Sequence, residues 1–166
     1  MGSNKELRVV EGSVKNPVCH FRGRSEHALD AKGRLNIATR FRESLRSQGD
    51  ERLMVTPWHN CIRAYPIPHW EELEMTLLAQ GQKRPETVKL IRYMIGGAEE
   101  CGLDKQGRIL LPATLREDCN IKKEVVANGM ITYFEIWDKE IWEAENKPTG
   151  ENFQNFEQVL LEMGLF

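Results

Sequence analysis

The sequence predicts a β-rich α+β chain that is built from two tandem copies of one small unit. The first observation is a period of 74 residues, which superimposes Leu29–Leu35 on Leu103–Ile109 and repeats an Asp-x-x-Gly-Arg motif. The second is a succession of short strand-like runs separated by turn residues and short helical patterns. With 166 residues, 40% of them hydrophobic, the chain can form two small halves that share a core.

The repeat continues downstream of the two motifs. Arg42-Glu43 falls on Arg116-Glu117 at the same offset, and an offset of 72 then pairs Trp70-Glu71 with Trp142-Glu143. Each copy therefore reads as a strand, a tight turn, a strand, a short helix, a hairpin and a closing helix.

Four residues are predicted to form the tight turns: Asp30, Gly33, Asp104 and Gly107. An aspartate carboxylate accepts hydrogen bonds from nearby backbone amides, and glycine accepts the positive φ that tight hairpin turns need. The residues that follow each glycine, Arg34 and Arg108, are therefore held beside a rigid bend.

The other elements follow from capping and periodicity. Helices are predicted to start at Ala38-Thr39 and at Pro112, and a connecting helix covers 86–95 between the copies. Strand pairs are predicted at 52–56 with 61–65, bridged by 57–60, and at 124–128 with 131–137, bridged by 129–130. Closing helices are predicted at 69–79 and 138–145, and an amphipathic stripe covers 152–166.

These elements predict a division of the chain into five segments. They are an N-terminal extension (1–20), a first repeat (21–82), a connecting helix (83–97), a second repeat (98–146) and a C-terminal amphipathic tail (147–166). The tail needs a surface to cover its apolar stripe, either on its own domain or on a neighbouring subunit.

Charge is polarised along the chain. The formal net charge is only −2, so no global positive field attracts nucleic acid. Residues 22–46 nevertheless carry seven basic side chains against three acids, whereas residues 135–162 carry eight acids against two lysines. Any binding to nucleic acid must therefore depend on a local patch.

Several function classes are disfavoured by what the sequence contains. Four scattered cysteines without a Cys-x-x-Cys pair predict reduced thiols in a cytoplasmic protein, and no apolar run reaches the roughly 20 residues that span a bilayer. Cys19-His20 and His59-Asn60-Cys61 lie in no recognisable nucleophile turn, and His69 adds no convincing metal spacing. We therefore expect no catalysis, cofactor or metal.

Together the motifs resemble those of the MraZ family. The resemblance is carried by Phe21-Arg22-Gly23, by Leu29-Asp30-x-Lys32-Gly33-Arg34, and by the second copy from Leu103-Asp104 to Pro112, and it covers about residues 20–146. Single copies of the second motif also resemble swapped-hairpin domains of the AbrB and SpoVT type.

The resemblance implies both a fold and a function. The fold is two tandem pseudo-symmetric swapped-hairpin halves, a double-split β-barrel with short flanking helices. The implied function is a transcriptional regulator, mainly a repressor, that associates with the nucleoid and binds short direct repeats in the promoter of the division and cell-wall gene cluster. It implies a ring-shaped homo-oligomer as the active form.

Basic residues of the first copy are the preferred candidates for contact with double-stranded DNA. A guanidinium held beside a rigid turn can contact a phosphate or the edge of guanine with little loss of entropy. The candidates are, in order, Arg34, Lys32, Arg24, Arg22 and Arg40, followed by the weaker Arg108 and Lys105.

Structural interpretations of the same residues stay open. Arg34 and Arg108 can pair with the turn aspartates instead of DNA, and Arg42 with Arg46 can form a solvated helix face. A rival function is an antitoxin-like swapped-hairpin module that binds a protein partner through its C-terminal tail. Size-exclusion mass discriminates the two functions, because a large closed ring favours the DNA-binding regulator.

Overall fold

The computed structural model describes residues 20–80 and 84–166. The predicted N-terminal extension therefore lies, apart from His20, outside the described residues. In chain order the elements are β1 (Arg24–Ala28), β2 (Arg34–Asn36), α1 (Thr39–Ser47), β3 (Arg52–Trp58), β4 (Cys61–Pro66), α2 (Ile67–Gln80), α3 (Pro85–Met94), β5 (Glu99–Gly102), β6 (Arg108–Leu110), α4 (Ala113–Asp118), β7 (Glu124–Gly129), β8 (Phe134–Asp138), α5 (Lys139–Asn146) and α6 (Gly150–Glu162).

The strands form two antiparallel sheets in which the halves exchange strands. The larger sheet has the order β1-β7-β8-β4-β3-β5, and the smaller consists of β2 and β6. The first strand of each half pairs with a strand of the other half, because β1 lies against β7 and β5 lies against β3. This reciprocal pairing confirms the α+β fold of two swapped-hairpin halves.

Two pairs of residues mark the pseudo-two-fold axis of the fold. Leu35 pairs with Ile109, its own counterpart at an offset of 74, and Arg63 pairs with Glu135, its counterpart at 72. The same relation holds at the ends of the small sheet, where Ile37 N–H donates to Gly107 O and Leu111 N–H donates to Gly33 O, both at 3.0 Å. The sequence repeat is thus also a symmetry of the fold.

The main hydrophobic core is formed by residues of both halves. Its centre is an aromatic triad of Phe21, Phe41 and Phe134, with ring centroids 5.0–5.3 Å apart. Leu35 and Ile109 are almost fully buried beside it, so the small sheet is anchored from below by its central side chains. Since each half contributes to this core, neither half can bury its apolar face alone.

The hairpin boundaries differ from those predicted. Residues 57–60 were expected to bridge two strands, but Pro57 and Trp58 continue β3, and only His59 and Asn60 form the turn. Pro57 fits in the strand because β5 pairs with β3 only from Arg52 to Val55, so no ladder hydrogen bond to β5 requires the N–H that proline lacks. The adjacent Trp58 ring packs under the Arg63 guanidinium, 4.2 Å from the ring centroid.

In the second half, Ile131 was expected in a strand and instead lies in the connection between β7 and β8. Its φ of +69° is outside the extended region, and it forms only an isolated bridge with Phe21. The five predicted segment boundaries otherwise stay a prediction, and no helix within the described ranges is long and apolar enough to cross a membrane.

Candidate nucleic-acid interface

The first Asp-x-x-Gly-Arg motif folds as a tight turn closed by its own side chains. Asp30 Oδ1 accepts the backbone N–H groups of Lys32 and Arg34, both at 2.9 Å, and Asp30 Oδ2 accepts the Arg34 Nε–H. Gly33 has a φ of +84°, as the turn requires. The backbone amide of Arg34, reinforced by its guanidinium, lowers the pKa of Asp30 to about 2, so this carboxylate is ionised at neutral pH.

The second motif repeats this geometry. Asp104 Oδ1 accepts the N–H groups of Gln106 and Arg108 at 2.9 Å, and Oδ2 accepts the Arg108 Nε–H at 2.9 Å. Gly107 has a φ of +76°, and the Arg108 amide lowers the pKa of Asp104. Both arginines therefore use one guanidinium nitrogen to close their own turn.

The antiparallel pairing of β2 with β6 places the two turns at opposite ends of one three-residue ladder. Arg34 pairs with Leu110 and Asn36 with Arg108 in this short ladder. Arg108 Nη1 consequently lies 3.9 Å from Asp30 Oδ2, so the arginine of one turn also faces the aspartate of the other. The two motifs form one site, a proximity that the repeat alone did not predict.

Each turn is covered by an arginine from the opposite half. The Arg116 guanidinium lies over Gly33 and that of Arg42 over Gly107, so close that a Cβ on either glycine would be 2.7 Å from Arg116 Cζ or 2.5 Å from Arg42 Nη1. Arg116 Nε donates to Leu111 O at 3.2 Å, and Arg42 Nη2 donates to Thr39 Oγ1 at 3.0 Å.

Sequence reasoning missed this role of Arg42 and Arg116. A solvated helix face was one of the interpretations left open for Arg42, but its side chain is partly buried against the second turn. The available signal was the repeat itself, which places Arg42 and Arg116 at equivalent positions after the two motifs. Arg46, by contrast, is exposed and pairs with Glu51 at 2.8 Å.

We call the combined feature the two-turn surface, defined by residues 30–34 and 104–108 with Arg42 and Arg116. Its charged members are six cations and two aspartates, which leaves a formal excess of four positive charges: Lys32, Arg34, Arg42, Lys105, Arg108 and Arg116 against Asp30 and Asp104. Lys32 and Lys105 are exposed, while the side chains of Arg34 and Arg108 keep 32% and 23% of their surface accessible. Such a surface can bind an extended polyanion.

The remaining predicted candidates lie near the start of β1. Arg40 Nε donates to the Arg22 carbonyl oxygen at 2.9 Å, which brings these two exposed residues together. Arg24 stacks on Trp142 of α5, with its Cζ 4.9 Å from the ring centroid. These three arginines form a second basic group, and Arg24 has a packing contact that competes with any contact to a ligand.

Two interlocked repeats that present paired Asp-Arg turns define a tandem swapped-hairpin protein. A family model described as "MraZ protein, putative antitoxin-like" matches residues 20–90 and 94–162, one match for each repeat. The chain belongs to the MraZ family, as the motifs indicated.

Relatives named "Transcriptional regulator MraZ" match over nearly their whole length. The protein from Syntrophobacter fumaroxidans is 42% identical over 146 residues, which is 88% of this chain and 97% of the relative. The protein from Desulforamulus reducens is 38% identical over 143 residues, 86% of this chain and 99% of the relative. That from Thermoanaerobacter sp. is 36% identical over 143 residues, 86% of this chain and 98% of the relative.

Proposed function

We propose that this chain is a DNA-binding transcriptional regulator that contacts duplex DNA through the two-turn surface. The observation that carries the proposal is the clustering of six cations from both repeats around two rigid turns. The names of the relatives support the regulatory role. The proposal includes no catalytic step, cofactor or metal.

The division of tasks within the site follows from its hydrogen bonds. Asp30 and Asp104 hold the turns, and Gly33 and Gly107 allow both the turn conformation and the approach of the covering arginines. Lys32 and Lys105 are exposed point charges suited to phosphates. Arg34 and Arg108 commit Nε to their aspartates, which leaves the terminal nitrogens of preoriented guanidinium groups for the edge of guanine or for phosphate.

The resemblance to the MraZ family implies a more specific mode of DNA binding, by an oligomer. A single patch of this size binds DNA weakly and with a strong salt dependence. A ring-shaped homo-oligomer that binds short direct repeats would make later contacts intramolecular and raise the avidity by roughly 10² to 10⁴. We propose that the chain acts in this form as a sequence-specific repressor of the division and cell-wall gene cluster, in the cytoplasm and associated with the nucleoid.

The first experiment measures how the two exposed lysines contribute to binding. Fluorescence anisotropy at several salt concentrations compares the wild type with Lys32→Ala, Lys105→Ala and the control Lys147→Ala, an exposed lysine outside the surface. If both lysines contact phosphates, each substitution weakens binding to all duplexes about equally and reduces the salt slope by about 1 for each bound subunit, whereas Lys147→Ala changes neither. Equal behaviour of all three variants would overturn the proposed surface.

A second comparison separates base contacts from phosphate contacts. Arg34→Lys and Arg108→Lys keep the charge but lose the planar fork, so a base contact predicts a loss of about 1 to 3 kcal/mol that is confined to the preferred sequence. Arg22→Ala and Arg40→Ala test whether the second basic group also binds DNA. If the Arg34 and Arg108 variants bind every duplex with unchanged affinity, these residues only close the turns and do not contact DNA.

The alternative is an antitoxin-like module that binds a protein partner through α6. An observation that favours it is the exposed apolar face of this helix. A chain that binds no DNA at low salt but captures one defined protein through α6 would support this alternative.

A further inference from the structure

The outward face of the small sheet carries two pairs of repeat-related side chains. β2 and β6 have the same burial pattern, in which the central residue, Leu35 or Ile109, is buried in the core and the last residue is exposed. Because side chains alternate along a strand, the residues that flank each central residue share the opposite face. The outward face therefore consists of Arg34, Asn36, Arg108 and Leu110.

The two repeats agree on one diagonal of this face and differ on the other. In the ladder, Arg34 pairs with Leu110, and the equivalent pair is formed by Asn36 and Arg108. The two arginines are counterparts at an offset of 74, and so are Asn36 and Leu110. The pseudo-two-fold axis thus relates two identical guanidinium groups, but it relates a carboxamide to an apolar side chain.

Leu110 is an exposed leucine beside the cations of the two-turn surface. Its exposed fraction is 58%, and Asn36 is exposed as well. An apolar side chain adds nothing to the binding of phosphates, but it can contact an apolar group of a base. The different chemistry of these two residues is therefore suited to base contacts rather than to backbone contacts.

The shape of the small sheet fits the major groove of duplex DNA. This groove is about 12 Å wide in B-DNA and admits a two-stranded β-ribbon, whose strands are about 4.8 Å apart. The two turns lie at opposite ends of the β2–β6 ladder, and each carries an exposed lysine, Lys32 or Lys105. With the ribbon in the groove, the lysines can contact phosphates while the outward face contacts base edges.

We propose that Asn36 and Leu110 are specificity-determining residues that contact different bases in the major groove. This proposal rests on the proposed function, in which the two-turn surface binds duplex DNA. A carboxamide can form two hydrogen bonds with N6 and N7 of adenine, whereas an apolar side chain contacts the methyl group of thymine. Asn36 therefore selects adenine, and Leu110 selects thymine.

The difference between these two residues gives the site of one subunit a direction. A protein with true two-fold symmetry selects a palindromic site, which reads the same in both directions. Arg34 and Arg108 by themselves favour such a site, with one guanine on each strand. Asn36 and Leu110 break this symmetry, so each subunit binds its site in one orientation. Sites with a direction can be arranged head to tail, as the direct repeats of the proposed function require.

The first test compares the sites that three full-length proteins select from a random duplex library. The wild type should select adenine at the position that faces Asn36 and thymine at the related position that faces Leu110. Leu110→Asn makes the repeats alike and should select adenine at both positions, whereas Asn36→Leu should select thymine at both. Selection of the same site by all three proteins overturns the proposal.

The second test removes single base groups from a duplex that carries one copy of the wild-type site. Replacing the adenine by 7-deazaadenine removes the N7 acceptor, which should weaken binding of the wild type but not of Asn36→Ala. Replacing the thymine by uracil removes the methyl group, which should weaken binding of the wild type about fourfold but not that of Leu110→Ala. On the unmodified duplex, Asn36→Ala should bind about 5- to 150-fold more weakly than the wild type.

The comparison contains its own control for folding. Each protein is compared with itself on two duplexes, so a loss of stability in a variant does not change the ratio of its affinities. Leu161→Ala replaces a leucine of similar exposure, 55%, on α6, and it should respond to both modified bases as the wild type does. Equal responses of the wild type, Asn36→Ala and Leu110→Ala overturn the proposal.

Lys32→Ala separates a failure of this proposal from a failure of the proposed function. If it weakens binding to all duplexes while Asn36→Ala and Leu110→Ala keep the wild-type base preference, the two-turn surface binds DNA and only the base contacts are wrong. If the wild type binds no duplex, or if Lys32→Ala binds as the wild type does, the proposed function fails and this proposal fails with it.

Discussion

Gly33→Ala is the substitution that most directly tests the interlocking of the two turns. An alanine at a φ of +84° costs about 1 to 2 kcal/mol in backbone strain. Its Cβ would also lie 2.7 Å from Arg116 Cζ, so the flexible guanidinium must move. Moving it gives up the 3.2 Å hydrogen bond from Arg116 Nε to Leu111 O, which contributes about 1 kcal/mol.

Gly49→Ala isolates the backbone part of this cost. Gly49 has a similar φ of +77°, but a Cβ there meets nothing within 4 Å. We therefore expect Gly49→Ala to lower the free energy of unfolding by about 1 to 2 kcal/mol and Gly33→Ala to lower it by about 1 kcal/mol more.

Urea unfolding of both variants, and of Gly33→Ala in an Arg116→Ala background, measures the difference. Once Arg116 is removed, the extra cost of Gly33→Ala should disappear and leave only the strain seen at Gly49. If Gly33→Ala costs no more than Gly49→Ala, or if the cost is the same with and without Arg116, the proposed packing of Arg116 over the turn is wrong.

Three further predictions concern the turn carboxylate, the thiols and the core. The Arg34 amide and guanidinium hold the pKa of Asp30 near 2, so ionised Asp30 stabilises the fold above pH 3.8, and this stability is lost as the pH falls toward 2. Asp30→Asn should therefore flatten the low-pH part of a plot of the urea midpoint against pH. An unchanged plot would contradict the pairing of Asp30 with Arg34. Burial raises the pKa of Cys101 and of Cys119 to about 11 and also raises that of Cys61. A Cys19→Ser chain keeps only these three buried thiols, so it should resist alkylation at pH 7 until it unfolds. Prompt alkylation of the native chain would contradict the burial. Phe134→Ala removes a ring that makes two of the three aromatic contacts within the triad, and it should lower the free energy of unfolding by about 3 to 5 kcal/mol. Phe153→Ala on the exposed helix α6 should cost much less, and equal losses in the two variants would contradict the buried position of Phe134.

Local chemistry made much of the fold predictable. The turns at Asp30 and Asp104 depend on a carboxylate and a glycine within five residues of each other, and the structure confirms both. The helices from 39 and from 113 follow from equally local signals. Boundaries failed where a tertiary contact overrode them, as at Trp58, which stays in β3 because the Arg63 guanidinium packs on its ring.

The candidate site was predicted only as separate pieces. Charge counting favoured the first copy, because residues 22–46 are basic and the second motif has acidic neighbours. The ladder between β2 and β6 instead places Arg108 beside Asp30, and the covering arginines come from helices of the opposite halves. Which copy contributes more to DNA binding stays a prediction.

The sequence by itself determined that one unit is repeated, that each copy bends at an Asp-x-x-Gly-Arg turn, and that the family is MraZ. These properties are local, since they need only residues a few positions apart and the comparison of one segment with another. Only the tertiary structure decided that Arg108 of one turn faces Asp30 of the other, that Arg42 and Arg116 cover Gly107 and Gly33, and that no residue of α6 is buried among the described residues. The physical reason is the exchange of strands between the halves, because pairing of β2 with β6 and of β1 with β7 joins residues from 72 to 104 positions apart and no local signal specifies such contacts.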